Sequence, residues 1–137
     1  SAFLDQPLNQ SDPQTVRLLL EISERQLQEA EAEMSFVGAV KAFLIDHIAS
    51  PPTLDEAARL LAVSPRGLRR KLAEAGTSYQ KLLDSVRLKM ALRLLKETDT
   101  PVSSIGYELG FDNPSDFGRA FKRWSGQSPS SLRHARP

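Results

Sequence analysis

Residues 105–124 read IGYELGFDNPSDFGRAFKRW, and residues 57–72 read AARLLAVSPRGLRRKL. The two stretches can be laid over each other. Ala58 falls on Gly106, Ala62 on Gly110 and Val63 on Phe111; after one extra residue in the second copy, Pro65 falls on Pro114, Leu68 on Phe117, Arg70 on Arg119 and Leu72 on Phe121. Small residues at 58 and 106 let two helices approach closely, those at 62 and 110 permit a tight turn, and the apolar positions after the turn hold a second helix across the first. Each copy therefore reads as a helix-turn-helix unit.

In such a unit the second helix enters the major groove of DNA N-terminal end first, so its early exposed positions meet base edges and its flanks meet phosphates. The first copy presents Arg66, Arg69 and Arg70 there, and arginine's fork suits the two acceptors of guanine. The second copy presents Asn113, Ser115, Asp116 and Arg119, a less basic set. Ser64, Lys71, Lys122 and Arg123 fall to phosphate, which positions a protein without specifying sequence.

Working outward, the periodicity is helical throughout and no stretch alternates as a half-buried strand does, so the fold class is all-α. Asp12-Pro13 predicts a helix start and a helix running to about Glu33. Ser35 predicts the cap of a separate helix from Phe36 to about Ala49, buried through Phe36, Val40, Phe43, Leu44 and Ile48 and stopped by Ser50-Pro51-Pro52. Thr53 with Glu56 is a capping box for a short helix ending near Ala62; Ser64-Pro65 starts the next, which Gly76 closes. Thr77 or Ser78 opens a long helix to about Glu97 with Leu82, Leu83, Val86, Met90, Leu94 and Leu95 inward. Short helices follow over Val102 to Leu109, from Asn113-Pro114 to Trp124, and from Ser128-Pro129, giving seven after the N-terminal one. The organisation expected is an N-terminal helical segment over 1–35, a first helix-turn-helix subdomain with the linker helix over 36–97, and a second subdomain over 98–137.

The 20 residues from Ser78 to Glu97 make a linker about 30 Å long. Successive major grooves on one face of DNA lie about 34 to 36 Å apart, so one chain can address adjacent grooves of a bipartite site. Because the linker is rigid and B-DNA is straight, either the DNA bends or one unit sits less deeply, and the weaker charge of the second unit makes it the shallow one.

Composition agrees. The 137 residues can hold one ordinary domain or a small domain with an appendage, and no apolar run reaches the roughly 18 residues of a membrane span. Ser1 to Gln10 lacks the pattern of a signal peptide, and zero cysteines exclude disulfides, thiolate catalysis and cysteine zinc fingers; the default location is cytoplasmic. Residues 1–50 carry eight acidic against three basic side chains, whereas 51–137 carry nine against fifteen. The basic surplus coincides with the two copies. His47 beside Asp46 has no identifiable nucleophile partner, and two histidines without cysteine make a poor metal site; no enzyme activity, metal or cofactor is expected. Trp124 and Phe111 read as core, while Arg87 and Arg93 read equally as DNA contacts or as partners of Asp84 and Glu97. A helical module for acidic protein partners is the rival to DNA binding.

Two features of the N-terminal segment stay open. Val16, Leu20, Leu27, Ala30 and Met34 follow heptad spacing with Ser23 interrupting, which suits docking on the chain's own domain or a short dimer seam. The abrupt start at Ser1-Ala2-Phe3 favours a fragment of a larger protein over a naturally short one.

These residues resemble the double helix-turn-helix domain of the AraC/XylS transcription regulators over about residues 36–137. The resemblance rests on Ser64-Pro65-Arg66 with Leu68 and Arg70, on Arg87, Ala91, Leu94 and Leu95 in the linker, and above all on Ile105-Gly106 to Gly110-Phe111 followed by Phe117 to Trp124, Gly126 and Ser128-Pro129. Departures are Gly106 for the usual alanine, Ala62 for glycine, Gly118 for serine, and Leu132 where an aromatic residue precedes Arg133. The family resemblance implies a bacterial activator that binds beside a promoter and recruits RNA polymerase, with a homodimer formed through a separate N-terminal effector or dimerisation domain.

Overall fold

The computed structural model describes residues 12–135, which form seven α-helices. α1 spans Pro13–Asp46, α2 Leu54–Leu60, α3 Pro65–Glu74, α4 Tyr79–Glu97, α5 Val102–Glu108, α6 Pro114–Ser125 and α7 Pro129–His134. Among the described residues there is no strand, as the periodicity predicts.

One boundary differs. The break expected at Ser35 is absent, and the two N-terminal helices are one of 34 residues. Serine is a good cap but not a breaker: inside a helix it costs about 0.5 kcal/mol relative to alanine, less than a second helix start would sacrifice in unpaired backbone groups. The sequence around it, Glu33-Met34-Ser35-Phe36-Val37, holds neither glycine nor proline. Among the described residues seven helices therefore stand where eight were expected.

The predicted caps form. The Asp12 carboxylate accepts from Gln14 N at 3.1 Å; Thr53 and Glu56 exchange both bonds of the capping box at 3.2 Å. The side chains of Ser64, Ser78, Asn113 and Ser128 each accept from the backbone nitrogen three residues on. The overlay of the two copies is borne out by the turns. Val63 N donates to Ala58 O at 2.9 Å and Phe111 N to Gly106 O at 3.0 Å, the same closure at matched positions. Ala62 and Gly110 both take positive φ, 59° and 87°.

One core runs through both units. Val40, Leu44 and Ile48 of α1 and its C-terminal turn join Leu68 and Leu72 of α3, Leu82, Leu83, Val86, Ala91 and Leu95 of α4, Ile105 and Leu109 of the α5 turn, and Phe117 and Phe121 of α6. Gly106 lies so close to α6 that a Cβ there would stand 2.9 Å from Phe117 Cβ, the close approach read from the sequence. α1 packs on α3 and α4, while α4 also carries α5 and α7. Nothing of α1 before Phe36 takes part: every side chain from Pro13 to Ser35 is exposed, Leu27 at 60% and Met34 at 72%. Docking of the heptad stripe on the chain's own domain is not found among the described residues. The described helices include none long and apolar enough to cross a membrane.

Candidate nucleic-acid interface

Burial of Leu68 and Leu72 orients α3. At about 100° per residue, Arg66 and Arg70 then face away from the core, with Arg69 and Lys71 on either flank. All four side chains are exposed. Arg69 lies 3.9 Å from the Asp55 carboxylate and Arg70 3.9 Å from Glu74, one turn on. Exposed pairs of this kind contribute at most about 1 kcal/mol, so either arginine is free to exchange its carboxylate for a guanine edge or a phosphate. The Lys71 ammonium sits 5.0 Å above the Phe36 ring, on the flank next to α1. Ser64 Oγ accepts from Gly67 N at 2.9 Å and keeps its own proton to donate.

Phe117 and Phe121, fully buried, orient α6 in the same way and leave Ser115, Arg119, Lys122 and Arg123 exposed. The polar residues of its first turn are not independent. Asn113 caps the helix through Asp116 N at 2.8 Å and donates its side-chain N–H to the Asp116 carboxylate at 2.9 Å, and the other carboxylate oxygen accepts from Arg119. Asn113, Asp116 and Arg119 thus form one hydrogen-bonded chain in which an acid aims an arginine. α3 carries four cations against one carboxylate and α6 three against one.

Three residues have roles that their sequence positions left unread. Arg87 is held by backbone: its Nε donates to Leu109 O at 2.8 Å and its Nη2 to Gly110 O at 3.5 Å, with the guanidinium carbon 4.3 Å from the centre of the Phe111 ring. Burial pulls its proton affinity below the ordinary arginine value, partly offset by Asp84, and it remains a cation at neutral pH. The signal was present, because Leu83 and Ala91, four residues to either side, are both buried. Arg133 reaches from α7 to the end of α4, donating to the carbonyls of Leu94, Leu95, Thr98 and Thr100. Tyr79 is buried at the start of α4 and its hydroxyl donates to Pro52 O at 2.7 Å; burial and the nearby Glu56 raise its pKa. Arg93 does pair with Glu97, at 4.0 Å. Trp124 packs on Phe111 with ring centres 6.1 Å apart, and its indole N–H is buried without a protein partner. His47 ends α1, its Nδ1 2.8 Å from Phe43 O. Among the described residues no cluster of histidine and acid side chains is arranged to hold a metal.

Two helix-turn-helix units with outward basic second helices, mounted on one shared helix, define a double helix-turn-helix domain of the DNA-binding class. A family model described as a helix-turn-helix domain matches residues 57–135. The chain is 37% identical over 135 residues to the ornithine utilization regulator of Pseudomonas aeruginosa, covering 98% of this chain and 40% of that protein. A crystal structure of a probable AraC family transcriptional regulator from Rhodopseudomonas palustris matches with a TM-score of 0.60 at 30% identity, over 74% of this chain and 97% of that one. The DNA-binding domain of the global transcriptional factor AdpA, solved in complex with a target DNA, matches with a TM-score of 0.63 at 28% identity, over 72% and 90%. This chain belongs to the AraC-type helix-turn-helix family, and it spans about 40% of the length of the curated relatives it matches first.

Proposed function

We propose that the chain is the DNA-reading part of a sequence-specific transcription regulator, with α3 and α6 entering adjacent major grooves of one promoter site. The observation that carries this reading is the pair Arg70 and Arg119, exposed at matched positions of two units that share turn geometry, core positions and caps. The linker supports it: 19 residues of α4 measure about 28 Å, within reach of the roughly 34 Å between grooves once the helices extend from its two ends. Arg66, Arg69, Arg70, Asn113, Ser115, Asp116 and Arg119 read bases; Ser64, Lys71, Lys122 and Arg123 hold phosphates.

In this reading residues 36–97 and 98–137 each handle one groove, and the acidic segment over 1–35 leads towards an effector-sensing or dimerising part of the protein. Recruitment of RNA polymerase to a nearby promoter follows as the regulatory act, in the cytoplasm where the chromosome lies. The deciding experiment is selection of tight binders from random duplex DNA, with the winning site titrated at two salt concentrations. One bipartite motif with half-sites about one helical turn apart, bound less tightly at higher salt, is the expected result. Salt-sensitive binding without a motif would move an acidic protein partner to the front.

A further inference from the structure

The two units touch each other, and they do so at the turn of the second. Gly110 closes α5 with φ +87°, and a Cβ there would stand 2.5 Å from Ile48 O, 2.8 Å from Pro51 Cδ and 3.1 Å from Arg87 Nη2. Ile48 and Pro51 belong to the connection between α1 and α2, in the first unit. Backbone of one unit is thus pressed on backbone of the other, with Arg87 of α4 held beside both. The matched turn of the first unit shows that positive φ is not by itself what requires glycine: Ala62 occupies the same conformation with its side chain in solvent. At 110 it is the contact between units that leaves no room for a methyl group.

Arg87 closes this junction. It binds the two carbonyls at the end of α5 with a planar fork while covering the Phe111 ring, and it issues from the middle of the helix both units share. α5 holds α6 through the Gly106–Phe117 contact, so moving the α5 turn relative to α4 moves the second recognition helix. Resting on the two-groove reading, we infer that Arg87 is a positioning residue: with Gly110 it fixes the spacing and angle of α6 relative to α3, and so sets which separation of half-sites the protein accepts.

Two measurements test this, with thermal melts and far-UV dichroism confirming that each variant is folded. In the first, wild type, Arg87→Met, Arg87→Lys and the core control Leu82→Ala are titrated against the selected operator and against versions lengthened or shortened by one and two base pairs between half-sites. Two linked sites lose avidity steeply when geometry forbids joint engagement, so wild type is expected to lose about tenfold or more per base pair of misfit. Arg87→Met is expected to bind the best spacing less tightly but to flatten the profile to about threefold, because a loose junction tolerates misfit while its effective concentration falls. Arg87→Lys, which keeps the charge but not the fork, is expected between them. Leu82→Ala is expected to keep the wild-type profile. In the second, nitroxide labels at Ala73→Cys in α3 and Arg123→Cys in α6, introduced into a chain without other cysteines, report the distance distribution by pulsed dipolar spectroscopy without DNA. Broadening or displacement in Arg87→Met and Arg87→Lys supports the junction. An unchanged distribution, or a loss of affinity uniform across spacings as in Leu82→Ala, overturns it. If wild type itself binds all spacings alike, the two-groove reading fails and takes the assignment of half-site spacing to Arg87 with it; the label distances show separately whether the junction holds.

Discussion

The glycines and the alanine at the turns and on the recognition helices divide sharply by what surrounds them. Ala62 pays about 1 to 2 kcal/mol for a left-handed conformation, and glycine's greater freedom in the unfolded chain returns part of that difference. Ala62→Gly is therefore expected to raise stability by about 0.5 kcal/mol in urea titration. Gly110→Ala, in the same backbone conformation but with a carbonyl 2.5 Å from the new methyl, is expected to lose about 3 kcal/mol or more, since backbone cannot step aside as a side chain can. The recognition helices show the same contrast. A Cβ at Gly118 meets nothing within 4 Å, so Gly118→Ala should gain up to about 1 kcal/mol of helix propensity; at Gly67 it would crowd the capping Ser64 Oγ at 2.9 Å, and the gain should largely vanish. For function, Arg70→Ala and Arg119→Ala should each relax sequence preference at one half of the selected site, about 1 to 3 kcal/mol of discrimination apiece, while Lys122→Ala weakens all sequences alike. Equal, sequence-blind losses from all three would remove the base-reading assignment.

Among the elements, α1 is two things in one helix. From Phe36 to Leu44 its face is locked into the core, with Ile48 following in the turn beyond, whereas from Pro13 to Ser35 it has only its own hydrogen bonds and neighbouring side chains to hold it. Arg25 has Glu21 and Glu29 one turn to either side, and such pairs add only a few tenths of a kcal/mol each. Leu27→Pro should accordingly lower the helix signal in far-UV dichroism while leaving the melting of the rest of the chain within about 0.5 kcal/mol of wild type. A large loss of stability would mean that this stretch is covered in solution. The expectation of two helices there came from Ser35, and it failed because a cap signal marks where a helix can begin and not where one must end. Elsewhere the caps at Thr53, Ser64, Ser78, Asn113 and Ser128 were legible because proline, glycine or a double proline stood beside them and excluded continuation.

At the scale of the molecule, the second unit is tied to the linker helix by two arginines, Arg87 near its middle and Arg133 at its end. Removing Arg133 would leave the carbonyls of Leu94, Leu95, Thr98 and Thr100 without a shared cationic donor. Arg133→Ala is expected to cost about 3 kcal/mol, with amide exchange rising first in α5 to α7, because hydrogen bonds to a charged group are worth more than neutral ones and these tie α7 to the end of α4. Exchange rising uniformly over α1 to α7 would contradict that role. What the sequence by itself determined is whatever depends on local spacing: all-helical elements, two matched units, their caps and turns, and the outward arginines, each set by period, small residues and turn chemistry within some twenty positions of chain. Only the tertiary structure decided that α1 is continuous yet half unsupported, that Arg87 and Arg133 bind backbone carbonyls, and that the units meet at Gly110. The physical reason is that an arginine's partner and a glycine's clearance are supplied by residues as much as 62 positions away, as Gly110 is from Ile48, and no local pattern encodes which distant backbone will arrive there.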